Sequence, residues 1–198
     1  MVCLVCTGGI GSGKSYALRV ITRLGIPSYI ADNRAKELYY TDKVLLRELI
    51  ELLGDEIAPQ GVIRRDIMAA KIFPNPELLT KVNEIVHPRV LADFEAWKIA
   101  RGEDGADIVV FESAIFFESP VFHHIADKVM VVTAPEEVRI QRVIKRDKVS
   151  RELVTERIQR QCSEKERLER ADFIVYTDGK RAVLPQILQV LNQMNIKR

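Results

Sequence analysis

Gly8-Gly9-Ile10-Gly11-Ser12-Gly13-Lys14-Ser15 is the stretch on which the reading of this chain turns. It follows the apolar run Val2 to Cys6 and leads into Tyr16-Ala17-Leu18-Arg19-Val20-Ile21, which has the look of a helix. Glycine, four residues, then Gly-Lys-Ser between a strand and a helix is the phosphate-loop pattern. The glycines let successive backbone N–H groups curl inward around an anion, and the positive end of the following helix adds to their field. Lys14 is expected along the β- and γ-phosphates of a nucleotide, and the Ser15 hydroxyl on a Mg2+ that bridges them. Gly8 to Ser15, with Tyr16 behind them, therefore imply a nucleotide triphosphate as ligand.

Outward from that loop, Val2 to Cys6 is apolar without alternation, as in a parallel strand buried on both faces. Lys14 to Leu24 completes a first strand-helix unit that Gly25 stops. Ile26 to Ala31 reads as a second strand, ending in Asp32. Helical patterns follow over Arg34 to Tyr40 and Val44 to Leu53, with a short one up to Ile72 and another from Glu77. His87-Pro88 is expected to kink or restart that last helix, because proline lacks an N–H and crowds the preceding turn. A separate helix would then carry Val90, Leu91, Phe94 and Trp97, with Gly102 to Gly105 a polar turn. Asp107 to Glu112, Lys128 to Thr133 and Phe173 to Tyr176 read as further strands, and Arg181 to Met194 as the final helix. Strands alternating with helices predict an α/β fold on a five-stranded, mostly parallel sheet, with ligands at the carboxyl ends of the strands. Lys14, Asp32 and Glu112 all fall at such ends.

Composition bounds the function classes. With 198 residues, 47% hydrophobic and 29% charged, the chain is long enough for one domain with a real core, and it shows no repeat or linker that would divide it. Thirty basic against 28 acidic residues, a formal charge of +2, are too balanced to imply nucleic acid or a membrane surface as the main partner, and neither is expected. Cys3, Cys6 and Cys162 are odd in number, and the first two point to opposite faces of one strand, so core thiols and a reducing cytoplasm are expected. No signal peptide or membrane span is expected, and a monomer is the expected oligomeric state.

The phosphate loop alone does not separate nucleotide-binding classes. There is no Asn-Lys-x-Asp after a strand, as a guanine-binding GTPase would need, and the chain is short for a motor. Asp32 has two readings: the base that takes a proton from an attacking hydroxyl, or a cap for a helix starting at Asn33 or Arg34. Glu112 either reaches the magnesium through water or pairs with arginines. Arg139, Arg142, Lys145, Arg146, Arg151, Arg157, Arg160, Arg167 and Arg170 alternate with acids and read as solvated helices of a closing lid, most of them in exposed ion pairs. Arg142 and Arg146, one turn apart, are the two expected to face the transferring phosphoryl group. His123 and His124 lack companion ligands, so no metal beyond magnesium is expected. On these residues alone, a small-molecule or nucleoside monophosphate kinase and a slow, ATP-dependent regulatory protein both stay open.

Several motifs in order along the chain resemble one family. They are Thr7 with Gly8 to Ser15, Ala31-Asp32 with Ala35, Ile63-Arg64-Arg65 with Ile72-Phe73 and Asn75-Pro76, Val82-Asn83 with Val86-His87-Pro88, and Gln141-Arg142 with Arg146-Asp147. Together they look like dephospho-coenzyme A kinase. That resemblance implies a three-layer P-loop kinase core, with about 34–100 as a helical acceptor-binding lobe and about 140–170 as an arginine-rich lid. It implies transfer of the ATP γ-phosphate to the 3′-hydroxyl of the dephospho-coenzyme A ribose, with Mg2+ as cofactor and Asp32 as the base. Lys14, Arg142 and Arg146 would act on the phosphates, and Asp32, Arg64, Arg65, His87 and Glu112 would receive the acceptor. Two positions depart from the family: Ala114-Ile115-Phe116-Phe117-Glu118 stands where Pro-Leu-Leu-Phe-Glu is usual, and Tyr16 where a threonine is common.

Overall fold

The structure is a computed structural model and describes residues 1–196. In chain order its elements are β1 (Val2–Thr7), α1 (Lys14–Arg23), β2 (Ser28–Ile30), α2 (Ala31–Thr41), α3 (Lys43–Leu53), α4 (Arg65–Ile72) and α5 (Pro76–Glu103). Then come β3 (Ile108–Glu112), β4 (Lys128–Thr133), α6 (Glu136–Asp147), α7 (Arg151–Gln159), α8 (Glu164–Glu169), β5 (Phe173–Tyr176) and α9 (Val183–Gln193). Short 3-10 turns lie at Asp55–Ile57, Pro59–Gly61 and Pro120–Ile125. The described chain divides into two compact units, one of residues 1–30 and 98–196, the other of residues 31–97.

In the first unit the five strands pair in the order β2-β3-β1-β4-β5, every pair parallel. Residues of both parities in the central strands are buried, which is why their sequences are apolar throughout and do not alternate. Leu4, Cys6, Val110, Met130 and Val132 pack with Ala17, Leu18 and Ile21 of α1 and with Val183, Ile187 and Leu191 of α9. Each such aliphatic side chain contributes about 1.5–3 kcal/mol on burial. A smaller cluster of Ile140, Val143 and Val154 joins α6 to α7, with Ile10 of the phosphate loop against it. With this order of strands, the ends of β1, β3 and β4 lie side by side: Cys6 is opposite both Glu112 and Met130.

The second unit is helical. Asp42 caps α3 by accepting the N–H groups of Val44 and Leu45 at 2.9 Å, and its other oxygen lies 3.5 Å from Arg89 of α5. Arg34 of α2 makes a two-pronged ion pair with Asp93 of α5, at 2.9 and 2.6 Å. Here the structure corrects one expectation: no separate helix starts after Pro88, since α5 is a single helix with Pro88 inside it, and it extends into the expected turn as far as Glu103. Pro88 costs one hydrogen bond, but Val82, Val86, Val90 and Phe94 form one buried stripe at four-residue spacing on both sides of it. Burial of that stripe outweighs one missing bond.

Candidate active site

The phosphate loop is shaped by its backbone. Gly11 and Gly13 have φ of 76° and 95°, values that a residue with a Cβ adopts only under strain. A Cβ at Gly13 would lie 2.7 Å from the Thr177 hydroxyl, so nothing larger fits. Lys14 folds back over the loop, its Nζ donating to the carbonyls of Gly8 at 2.7 Å and Gly9 at 3.3 Å. Gly13 precedes α1, and no side chain among the described residues caps that helix, whereas α3, α7 and α8 are capped by Asp42, Ser150 and Ser163. Nor does α1 carry an acid in its first turn. Its leading N–H groups and the Lys14 ammonium thus form a cationic cradle of the kind that binds phosphate.

The cradle opens onto a cavity of about 360 Å³ lined by Gly11 to Tyr16 together with Arg19, Arg142, Arg146 and Thr177. Arg142 is fixed by donating to the Gly11 carbonyl at 3.3 Å and to the Thr177 hydroxyl and carbonyl at 2.9 and 2.5 Å. Thr177 in turn donates to the Ser12 carbonyl at 2.5 Å. Arg146 lines the same cavity but stays largely in solvent, forked onto Asp147 at 2.6 and 3.1 Å. Thr177 was not among the site residues expected from the sequence. Its one available signal was its place at the carboxyl end of β5.

The expectation that arginines of this segment other than Arg142 and Arg146 sit mostly on a solvated face fails at two positions. Arg139 and Arg167 are 1% and 2% exposed, the largest fully buried side chains in the described chain. Both pair with Glu164. Periodicity showed the sparse apolar residues of α6 to α8 but not which charged groups those residues would leave buried. The spacing of Arg139, Arg142 and Arg146 on one face of α6 was the available clue. Arg151, Arg160 and Arg170 do sit in exposed pairs, as expected.

Glu112 ends β3 and is buried beside Cys6. Burial first, then the Glu112 charge, push the Cys6 thiol up to about 12, and burial does the same to Cys3, so both are inert core thiols. Among the described residues there is no group of three or more His, Cys, Asp or Glu able to hold a metal, and no helix long and apolar enough to cross a membrane.

In the second unit the cap reading of Asp32 is corrected: α2 begins at Ala31, so Asp32 is inside the first turn, not before it. Residues from three helices share its field. Burial raises the Tyr39 phenol, the Asp32 charge raises it further, and Arg65 opposes both. Burial lowers His87, and Asp32 opposes that. Arg64 has a different fate, forked onto Asp66 at 3.0 and 2.7 Å on the exposed side. Asp32, Tyr39, Arg65 and His87 thus form one electrostatic group, and Tyr39 is the member that sequence reasoning missed.

Comparison with known proteins gives a consistent picture. The profile of a family described as dephospho-CoA kinase matches residues 2–182. A dephospho-CoA kinase of Bacteroides fragilis is 38% identical over 185 residues, 93% of this chain and 89% of that one. One from Porphyromonas gingivalis is 38% identical over 199 residues, 100% of this chain and 96% of that one. Among solved structures, a Thermus thermophilus protein superposes with a TM-score of 0.85 at 28% identity, covering 99% of this chain and 98% of that one. The dephospho-CoA kinase from Campylobacter jejuni superposes with 0.70 at 25%, covering 97% and 96%. Shikimate kinase from Acinetobacter baumannii, at 0.54 and 16% over 100% and 96% of the two chains, shares the fold.

Proposed function

Since the chain belongs to the dephospho-CoA kinase family, and so phosphorylates dephospho-coenzyme A with ATP in coenzyme A synthesis, we propose how its own residues divide that reaction. The phosphate loop and the Lys14 ammonium hold the β- and γ-phosphates of ATP, Arg142 and Arg146 neutralise the transferring group, and Tyr16 and Arg19 flank the nucleoside. The observation that carries this reading is the uncapped start of α1, with Lys14 turned over the loop and a cavity bordered by arginines in front of it.

Asp32 is the base. It takes the proton of the ribose 3′-hydroxyl as that oxygen bonds to the γ-phosphorus and the bond to the bridging β-phosphate oxygen breaks, releasing ADP. Arg65 and His87, which share the Asp32 field, receive the anionic end of the acceptor. Arg64 and Glu112 complete the acceptor contacts. The Ser15 hydroxyl would hold the magnesium ion, and the Glu112 carboxylate would support it through water. One hydroxyl and one carboxylate suit Mg2+, which keeps several waters and binds mainly through substrate phosphates. When bound, the ion withdraws charge from the β- and γ-phosphate oxygens. Free thiols at Cys3, Cys6 and Cys162 support a reducing cytoplasm, and a monomer is the working oligomeric state.

An ADP-release assay tests the acceptor chemistry. Dephospho-coenzyme A should stimulate release, whereas its 3′-deoxy analogue should bind without stimulating. Stimulation by the analogue would refute the 3′-hydroxyl as nucleophile, and stimulation only by another acceptor would refute the whole assignment.

A further inference from the structure

Two buried guanidinium groups share one carboxylate behind the phosphate loop. Arg139 of α6 donates through Nη1 to Glu164 Oε2, and Arg167 of α8 reaches the same oxygen through Nη2 at 2.9 Å and Nε at 3.3 Å. The other Glu164 oxygen accepts the Thr133 hydroxyl at the end of β4. Burial alone would raise the Glu164 carboxyl, but the Thr133 and Arg167 hydrogen bonds and the Arg139 charge outweigh it, so it is a carboxylate at neutral pH. Two cations against one anion leave a surplus positive charge in a desolvated place, an expensive arrangement unless something neutralises it. Arg139 Nε is buried and has no hydrogen-bond partner among the described residues.

The surplus faces the loop. A Cβ at Gly9 would come within 2.6 Å of Arg139 Nη1 and 2.8 Å of Arg167 Nη2, so the two guanidinium groups lie directly against the bare backbone of Gly9. The Lys14 ammonium sits on the Gly9 carbonyl. Nearby chain is locked in place as well: the Ile10 amide donates to Gln161 at 2.9 Å, and Arg167 Nη1 donates to the Cys162 carbonyl. The arrangement resists rearrangement to find another counter-charge.

We propose that Arg139 is a binding residue for the terminal phosphates of the donor: paired with Arg167 around the single carboxylate of Glu164, it supplies from behind Gly9 a buried positive charge that the triphosphate neutralises. This rests on the phosphate-donor half of the function above and on nothing about the acceptor.

The test is calorimetric titration of the full-length enzyme with ATP and with inorganic triphosphate, no acceptor present, for wild type and Arg139→Gln. The glutamine keeps a donor for Glu164 and leaves Glu164 and Arg167 as a neutral pair. Affinity for both ligands should fall about tenfold, with the KM for dephospho-coenzyme A within about twofold of wild type and no drop in the Tm of the free enzyme. Unchanged affinity for both ligands with a lowered Tm would make Arg139 purely structural and overturn the proposal, as would a loss for ATP with none for triphosphate. If Arg139→Gln does not fold, Arg139→Lys decides: it keeps the charge, so triphosphate affinity near wild type supports the proposal and a tenfold loss refutes it. A wild type that bound neither ligand would instead refute the phosphate-donor reading itself.

Discussion

The phosphate loop and the Asp32 group achieve their fields by different means. The loop is made from eight consecutive residues, and its field comes from backbone N–H groups, one helix end and one lysine. The Asp32 group is made from side chains on α2, α4 and α5, drawn from positions more than fifty residues apart. A site built from backbone is written contiguously, because the conformation that makes it is local. A site built from side chains depends on helix packing, and its members carry no shared local pattern.

That contrast sets what each substitution should do. Asp32→Asn gives the largest effect, because it removes a side-chain function with no backbone substitute: turnover should fall by about 100-fold or more while ATP affinity stays near wild type. Near-wild-type turnover would remove Asp32 as the base and reduce its group to a structural cluster. Smaller effects are expected around the loop, where backbone carries the binding. Arg142→Ala should raise the KM for ATP by about tenfold, since its guanidinium is fixed on Gly11 and Thr177. Arg146→Ala, with a solvated side chain, should change it by less than about threefold. Equal effects in steady-state kinetics would show that fixation on the loop is irrelevant.

The smallest effect is on stability. Burial holds His87 below its ordinary value of 6.5, so the unfolded chain binds that proton first. Stability from this group is therefore fully present above pH 6.5 and is lost as the pH falls below it toward the folded value. Urea midpoints measured from pH 7.5 down to pH 5 should fall, and His87→Gln should flatten part of that fall. An unchanged slope would mean that His87 is not buried as a neutral ring.

Much of the fold was legible in the chain. Continuous apolar runs marked the parallel strands, and β4 and β5 match their sequence bounds, although β5 lies at the sheet edge with Ile174 exposed and so is apolar beyond what its burial requires. Pro88 misled for a physical reason: a local penalty predicts a break, yet burial of the Val82, Val86, Val90 and Phe94 stripe is larger and acts only once the helix is packed. At Asp32 only the cap alternative falls, since α2 starts one residue before it.

The arginines of α6 to α8 separate the two kinds of information most sharply. In sequence, Arg139, Arg151, Arg160 and Arg167 are alike, each within a charged stretch with acids nearby. In the folded chain two are exposed and two are buried around Glu164 against Gly9. The sequence by itself determined the form of the loop at Gly8 to Ser15, because φ above zero at glycine, a helix start without a side-chain cap and one lysine follow from residue types in a row. Only the tertiary structure decided which charges stand behind that loop, because desolvation depends on what is packed around a side chain, and those neighbours come from β4, α6 and α8.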